Sequence, residues 1–288
     1  SGRGSSSPTA IASVAFDVLN NRVLDAQLEP ISVDERTLAI RHMENIKSKA
    51  RTNLLYTMFV FDRGYASKNL ISYIEDTIHA SYLFRLRTKF NTDIDAVPAP
   101  LEQNGISDSI LILDGRKIRV IKFYLPSGIL ETLITNDFEL DKENFRQCYF
   151  LRWPVEENYK LIKEKIGLIN FRGYSENSIL QEFWISMLLA NLSLAIKRET
   201  DGIIDSTINQ KGNKNKYMTN MNELIGYLSR HFGEYMDADT LTQKFDIILS
   251  IFDFAISHRV QDKKGSGVSS PRTVPRKVKH HYNNKTTH

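Results

Sequence analysis

The hydrophobic pattern of the first sixty residues predicts strands and a helix in alternation. Residues 11–30 contain two apolar runs typical of strands on either side of Asn20–Asn21, a dipeptide suited to a hairpin turn. Residues 32–50 place apolar side chains at helical spacing and acidic ones in the first turn, which predicts a helix. Residues 53–61 are almost continuously apolar and β-favouring, a pattern typical of a strand buried on both faces.

Asp62 directly follows this last strand and opens the short turn "DRGY", after which a helix is predicted at about 68–79. Open α/β sheets place ligand chemistry at the carboxyl ends of their central strands, so Asp62 is a candidate functional carboxylate. The alternative is that Asp62 only caps the next helix or closes a turn.

After residue 80 the pattern predicts further strands and then mainly helices. A strand is predicted at 81–87, and residues 110–135 have the pattern of a β meander with a hairpin turn at Asp114–Gly115. Apolar residues at helical spacing follow at 143–166, at about 176–198 and on to about residue 259. The pattern therefore predicts an α/β fold with a helical C-terminal part.

A stripe of charged and aromatic residues lies in the helix predicted at 143–166. Its members span an arc of about 80° at roughly 100° per residue, and they are Tyr149, Arg152, Glu156, Lys160 and Lys163. Aromatic rings beside clustered cations suit contacts with phosphates and bases. Glu156 and Lys160 also form an ordinary i, i+4 pair, worth roughly 0.2–0.5 kcal/mol, so a solvated helix face is the alternative.

Pro154 interrupts this stripe, because a proline inside a helix removes one backbone hydrogen bond and kinks or restarts the helix. The three stripe residues beyond the proline keep their common register. The two residues before it share that face only approximately.

Composition narrows the class of protein. The 288 residues are 41% hydrophobic, which is enough for a substantial core. The one cysteine, Cys148, excludes an intramolecular disulfide framework and a cysteine zinc site, and its expected role is a small buried side chain. The longest apolar stretch, 183–196, is too short and too often interrupted by polar residues to span a bilayer. We therefore expect a protein of the reducing cytoplasm, without a membrane partner.

The positive charge is concentrated at the C-terminal end. Residues 263–288 contain seven Lys or Arg and no Asp or Glu, so the total of +4 leaves −3 for the rest of the chain. The same segment is rich in Gly, Ser, Pro and Asn, which predicts a basic disordered tail. It is either an arm for a polyanion or simply a solvated terminus.

The spacing of the stripe, Y-x2-R-x3-E-x6-K, resembles the signature of DDE transposases of bacterial insertion sequences, in the group called the insertion-sequence-four family. Further stretches are similar to the same family. "FDRGYAS" at 61–67 resembles its second aspartate motif, and "SGR" with residues 12–30 resembles the strands just after its first aspartate. Residues 171–192 resemble the helix that follows its glutamate, so the resemblance extends over roughly residues 1–200.

The resemblance implies an α/β fold with an RNase H-like core, a β-rich insertion and a C-terminal helical part. Its implied divisions are 1–90 and 137–200 for the core, 91–136 for the insertion, 201–262 for the helical part and 263–288 for the tail. The family's first catalytic aspartate and first core strand precede the "SGR" loop, so we expect an N-terminally truncated sequence that lacks both. Asp17 and Asp25 lie in the wrong hairpin strands to replace that aspartate.

By the same resemblance, Asp62 and Glu156 are catalytic residues and metal ligands, two of the three carboxylates that hold Mg²⁺ or Mn²⁺. Tyr149, Arg152 and Lys163 are implied to hold the phosphate at the transposon end, with Lys160 as a weaker candidate.

The implied activity is cut-and-paste DNA transposition. It comprises metal-dependent cleavage and strand transfer at terminal inverted repeats, by a homodimer on DNA, in the bacterial cytoplasm and associated with the nucleoid when bound. Without the first aspartate we expect this chain alone to be inactive. The alternative is a non-catalytic DNA-binding remnant that competes for transposon ends or subunits.

Overall fold

The computed structural model describes residues 10–49, 54–151, 161, 173, 175–210 and 215–262. The chain divides into two compact units. One unit comprises Ser1–Val18 with Leu24–Glu156, and the other comprises Leu19–Val23 with Glu157–His288.

A hairpin followed by a helix opens the first unit. Strands β1 (Ala10–Asp17) and β2 (Arg22–Pro30) pair as a two-stranded sheet, and helix α1 is Glu35–Lys49. Asn21 in the connecting turn has φ 53°, a left-handed conformation that asparagine tolerates better than most residues. The predicted hairpin and the predicted helix at 32–50 are both confirmed.

A mixed five-stranded sheet forms the centre of the first unit. Its strands are β3 (Met58–Phe61), β4 (Ser81–Arg85), β5 (Ile106–Leu113), β6 (Arg116–Tyr124) and β7 (Leu130–Thr135). Their order is β3-β4-β7-β6-β5, with β3 parallel to β4 and the other pairs antiparallel. The predicted meander is confirmed, and its last strand pairs directly with β4.

Each face of this sheet is covered by a helix. Helix α2 (Lys68–Tyr73) continues as a π-helical segment, Ile74–Ile78, and packs on the face that carries Phe84 and Ile134. The short helix α3 is Thr92–Ala96, and helix α4 is Lys142–Phe150. Helix α4 packs on the opposite face through Phe145 and Tyr149. The sheet side chains buried under it are Leu83, Ile121, Phe123 and Leu133. Side chains alternate between the two faces as the period of a strand requires.

Strand β3 differs from its prediction. The apolar run at 53–61 predicts a strand buried on both faces, but β3 has four residues, lies at the edge of the five-stranded sheet, and leaves Val60 38% exposed. The physical reason is local, because the amide of Thr57 donates to the carbonyl of Leu54 (2.9 Å) and closes a turn within the run. The prediction of a central, doubly buried strand was wrong.

The second unit is helical, as predicted. Its helices are α5 (Glu176–Ile204, continuing as a π-helical segment, Asp205–Asn209), α6 (Met221–Asp237) and α7 (Leu241–Ser257), and a short ladder joins β8 (Tyr217–Met218) to β9 (Val260–Gln261). Helices α6 and α7 pack together through Leu224, Leu228, Ile251 and Ala255, against partly buried leucines of α5.

One helical stretch, Glu176–Asn209, is long and apolar enough to cross a membrane by length and composition alone, with a mean hydropathy of 1.5. The apolar stretch 183–196, too short to span a bilayer, is only part of it. A single stretch of this kind is weak evidence for a membrane span, because core helices of soluble proteins have the same properties.

Candidate active site

Asp62 lies at the carboxyl end of β3, in a turn that the local sequence closes. Its carboxylate Oδ1 accepts the amide of Arg63 (2.8 Å), and its carbonyl accepts the amide of Tyr65 (3.1 Å). The next helix, α2, begins at Lys68 and is capped by Ser67, whose Oγ accepts the amide of Leu70. Asp62 therefore does not cap α2. It is a turn residue whose side chain is about half exposed (49%).

The pairing of the strands places Asp62 on the face of the sheet that α4 covers. Leu83 of β4 belongs to the apolar cluster under α4, and Arg85, two residues further on, lies on the same face. Arg85 reaches across to β3, where its Nη1 lies 3.5 Å from Oδ1 of Asp62. The candidate carboxylate and α4 therefore share one side of the sheet.

Arg85 is held by a buried carboxylate on β7. Its guanidinium forms a bidentate pair with Glu131, through Nε to Oε2 (2.5 Å) and Nη2 to Oε1. Glu131 is 1% exposed, and it accepts a further hydrogen bond from Nη2 of Arg63 (2.8 Å). Burial alone would lower the pKa of Arg85, but its pairing with Glu131 raises that pKa above the usual range, so Arg85 stays charged. The result is a chain of alternating charges that runs from Asp62 through Arg85 and Glu131 to Arg63.

Tyr149, the first residue of the signature, packs against this chain of charges. Tyr149 is 8% exposed, and the Arg85 guanidinium lies 5.5 Å from the centre of the Tyr149 ring. Phe123 of β6 meets the same ring edge-on, with 5.8 Å between the ring centres. Through Arg85, the structure thus connects Tyr149 on α4 with Asp62 at the end of β3.

The other three signature residues, Arg152, Glu156 and Lys163, lie outside the described residues, as does Lys160 of the same stripe. The described range 54–151 ends just before Arg152, where α4 stops at Phe150 and the amide of Leu151 donates to the carbonyl of Gln147 (3.0 Å). Their roles as metal ligand and phosphate contacts stay predictions.

Oxygen ligands are what Mg²⁺ and Mn²⁺ prefer, and the half-exposed Asp62 carboxylate fits that requirement. Within the described ranges, no group of three or more His, Cys, Asp or Glu is arranged to hold a metal ion. Asp25, weighed in the sequence as a replacement ligand, is 5% exposed and accepts hydrogen bonds from His42 (2.7 Å), Asn45 (3.1 Å) and Lys49 (3.1 Å). Asp25 is therefore a structural carboxylate that fastens β2 to α1.

Cys148 is half-buried beside the apolar cluster under α4. Burial raises the pKa of its thiol. Both features agree with the predicted role of a small side chain packed against the core.

The sequence pattern did not single out Arg85, Glu131 or Arg63. The available signal was a charge inside each of two β-favouring runs, "SYLFRLR" and "ILETLIT". A charge in such a run is usually solvated, and only the pairing of β4 with β7 shows that these two lie on the buried face.

These features define an α/β domain with a site of paired carboxylates and guanidiniums at one edge of its sheet. Residues 1–192 match the family described as the transposase DDE domain. Since that match covers 192 of 288 residues, the chain belongs to this family. No curated protein matches the chain.

One solved structure with detectable similarity is the cryo-EM structure of a piggyBac transposase synaptic complex with hairpin DNA. The identity is 10% and the TM-score 0.43, over 88% of this chain and 52% of that one. The chain thus spans about half the length of that structure. A similarity at this level carries no argument about fold or function.

Proposed function

We propose that this chain is part of a DNA transposase that carries out metal-dependent cleavage and strand transfer at insertion-sequence ends, by a cut-and-paste route. Membership of the transposase DDE domain family supports DNA transposition as the general activity. The observation that carries the finer proposal is the position of Asp62. It lies at the end of β3, on the sheet face covered by α4, and α4 leads directly into the Y-x2-R-x3-E-x6-K signature.

In the proposed site, Asp62 and Glu156 hold Mg²⁺ or Mn²⁺. Bound ions of this kind stabilise the charge that develops on phosphate oxygens and assist the attacking oxygen. The chain itself positions the Asp62 carboxylate through a hydrogen bond from the Arg63 amide and an ionic contact with Arg85. In the family that this sequence resembles, a third carboxylate completes the metal site, and we expect this chain to be inactive without it.

The signature and the tail supply the proposed DNA contacts. Arg152 binds a phosphate through its planar fork, whereas Lys163 and the weaker candidate Lys160 provide compact charges. Tyr149 completes the phosphate site at the transposon end, and its ring is fixed by packing under α4. Residues 263–288 serve as a basic arm. The partners are terminal inverted repeats and target DNA, engaged by a homodimer in the bacterial cytoplasm.

The proposed organisation is an RNase H-like core, 1–90 with 137–200, interrupted by a β-rich insertion at 91–136. The helical part, 201–262, and the tail follow. What supports this organisation is the β meander within 91–136 and the helical character of the second unit. In the structure the meander continues the sheet that begins with β3 and β4, because β7 pairs with β4.

The test is cleavage of transposon-end DNA with Mg²⁺ or Mn²⁺, with and without the upstream segment. We expect no cleavage by the 288-residue chain alone, cleavage by the extended protein, and loss of that cleavage in its Asp62→Asn and Glu156→Gln variants. Both substitutions keep side-chain size and polarity but remove the charge that binds the metal. The control is Asp108→Asn, which removes a carboxylate of the same sheet that pairs with Arg119.

Each outcome has a defined meaning. Robust cleavage by the Asp62→Asn or Glu156→Gln variant would refute that residue's role as a ligand. Robust cleavage by the 288-residue chain alone would refute the need for an upstream carboxylate. DNA binding without cleavage in every form would favour the non-catalytic remnant.

A further inference from the structure

We propose that Glu131 and Arg85 are positioning residues for Asp62. Glu131 fixes the Arg85 guanidinium, and the fixed guanidinium sets both the orientation of the Asp62 carboxylate and the charge around it. This inference rests on the proposed function, in which Asp62 is a metal ligand.

The hydrogen bonds of Arg85 are divided unequally between its two carboxylate neighbours. Nε and Nη2 form a bidentate pair with Glu131, whereas Nη1 approaches Oδ1 of Asp62 only to 3.5 Å. Charge-assisted hydrogen bonds are shorter, at about 2.7–2.9 Å. Glu131 therefore takes the strong, directional bonds, and Asp62 receives a longer ionic contact. Such a contact can hold the Asp62 carboxylate in place, and the carboxylate can still bind a dication more strongly than it binds Arg85.

The Arg85 guanidinium is fixed on several sides. Glu131 is 1% exposed and the Arg85 side chain 16% exposed, so the pair lies largely out of water. The Tyr149 ring covers the guanidinium from the side of α4. Accurate placement of a metal ligand depends on partners held in this way, one layer behind the ligand itself. Stability is a poor explanation for such a pair, because apolar residues of similar volume are often as stabilising as a buried ion pair.

Among the contacts of the described residues, Glu131 balances the positive charge that lies beside Asp62. The chain of contacts contains two guanidiniums, Arg85 and Arg63, and two carboxylates, Asp62 and Glu131. If the charge of Glu131 is removed, two cations remain near a single carboxylate. Arg85 would then turn its hydrogen bonds to Asp62 and compete with a dication for the same oxygens. Loss of Glu131 is therefore expected to weaken metal binding although Glu131 itself binds no metal.

The same sheet contains a matched control. Arg119 of β6 pairs with Asp108 of β5 through Nε (3.0 Å) and Nη2 (2.6 Å), and its guanidinium lies 4.9 Å from the ring centre of Phe145 on α4. This arrangement repeats the Arg85–Glu131 pair under Tyr149. One difference lies in the third nitrogen, since Nη1 of Arg119 donates to the carbonyl of Leu140 (2.6 Å). The other is burial, since the Asp108 side chain is 24% exposed and that of Glu131 is 1% exposed. Asp108→Asn therefore removes a similar ion pair without freeing a cation beside Asp62.

The experiment measures Mn²⁺ affinity by electron paramagnetic resonance of the free ion, for the 288-residue chain and for the protein extended upstream. We expect Glu131→Gln to weaken Mn²⁺ binding by about 10- to 100-fold, the usual effect of losing a partner behind a metal ligand. Asp108→Asn should change it less than about twofold, because that pair lies away from Asp62 and only its local structure is affected. The double variant Glu131→Gln/Arg85→Gln should recover only part of the affinity, because the charges balance again but no guanidinium orients Asp62. In the extended protein, Glu131→Gln should lower kcat for cleavage and leave KM for DNA unchanged.

The outcomes separate this inference from the proposed function. Equal effects of Glu131→Gln and Asp108→Asn on Mn²⁺ affinity, with Asp62→Asn abolishing binding, would overturn this inference alone. Unchanged Mn²⁺ binding in Asp62→Asn, or no binding in either protein, would overturn the proposed function and this inference with it. If Glu131→Gln does not fold, Arg85→Lys is compared with Arg119→Lys. Lysine keeps the charge but loses the fork, so only Arg85→Lys should weaken Mn²⁺ binding, and equal effects of the two would overturn the inference.

Discussion

Asp25→Ala is expected to be a severe local perturbation of the first unit. The Asp25 carboxylate joins β2 to α1, accepting hydrogen bonds from His42, Asn45 and Lys49. The other ring nitrogen of His42 lies 2.9 Å from the hydroxyl of Ser13 on β1. Removing Asp25 therefore removes the buried polar contacts between β2 and α1 and leaves the His42 ring with Ser13 as its remaining partner.

The magnitude follows from the exposure of each partner. The side chains of Asp25 and His42 are 3% and 7% exposed, so the substitution leaves a buried ring nitrogen without its acceptor. The buried donor left unsatisfied on His42 costs about 1–3 kcal/mol, and the donor on the partly buried Asn45 costs about 1 kcal/mol, at the lower end of that range. Lys49 is 66% exposed and adds less than about 1 kcal/mol, because water screens its pairing. We expect a total loss of about 3–5 kcal/mol, a large share of the stability of an ordinary domain.

The assay is urea unfolding followed by far-UV circular dichroism, and the control is Glu29→Ala. Glu29 joins the same two elements, β2 and α1, through Arg41 at 2.9 Å, but both side chains are partly exposed (33% and 45%). Glu29→Ala should therefore cost less than about 1 kcal/mol. If Asp25→Ala lowers the free energy of unfolding no more than Glu29→Ala does, the buried network does not hold the hairpin to the helix.

Two further predictions concern pH and salt. Burial lowers the pKa of His42 below its ordinary 6.5, and the bond to Asp25 only partly opposes this, so the unfolded chain binds more protons. The stabilising contribution of neutral His42 is thus present above pH 6.5 and is lost as the pH falls below 6.5. In the His42→Gln variant, the free energy of unfolding should therefore depend less on pH in this range. For DNA binding, deletion of residues 263–288 should reduce the slope of log affinity against log salt, by about 0.9 for each DNA phosphate that the tail neutralises; an unchanged slope would mean that the tail neutralises none.

Local signals predicted much of the fold because the structures they specify are local. Asn21 and Asp114 both adopt positive φ in the hairpin turns where the sequence places them. Helix α5 begins after Ser175, whose side chain forms a capping box with Ser178, close to the predicted start at about 176. Turn and cap chemistry depends on three or four neighbouring residues, so a single sequence contains it.

The candidate site was only partly predictable, for an equally physical reason. Asp62 stands out because a carboxylate that follows a β-favouring run is a local pattern. Arg85 and Glu131 do not stand out in the sequence, because 46 residues separate them along the chain. Only the pairing of β4 with β7 brings the two side chains into contact. The error in β3 has a different cause: the amide of Thr57 donates to the carbonyl of Leu54 and closes a local turn, but residues 54–57 contain no Gly, Pro, Asn or Asp to mark that turn in the sequence.

The order of strands in the sheet has a consequence for the sequence of folding events. Strand β7 inserts between β4 and β6, so the last strand of the meander is the one that touches β4. Arg63 and Arg85 therefore receive their buried partner only when a segment 68 and 46 residues further along the chain has docked. Closing loops of that length is slow compared with forming a neighbouring hairpin. During synthesis, Asp62 is therefore present well before Glu131 and β7 can pair with its neighbours. The turn that contains Asp62 gains its ordered surroundings only when the sheet is complete.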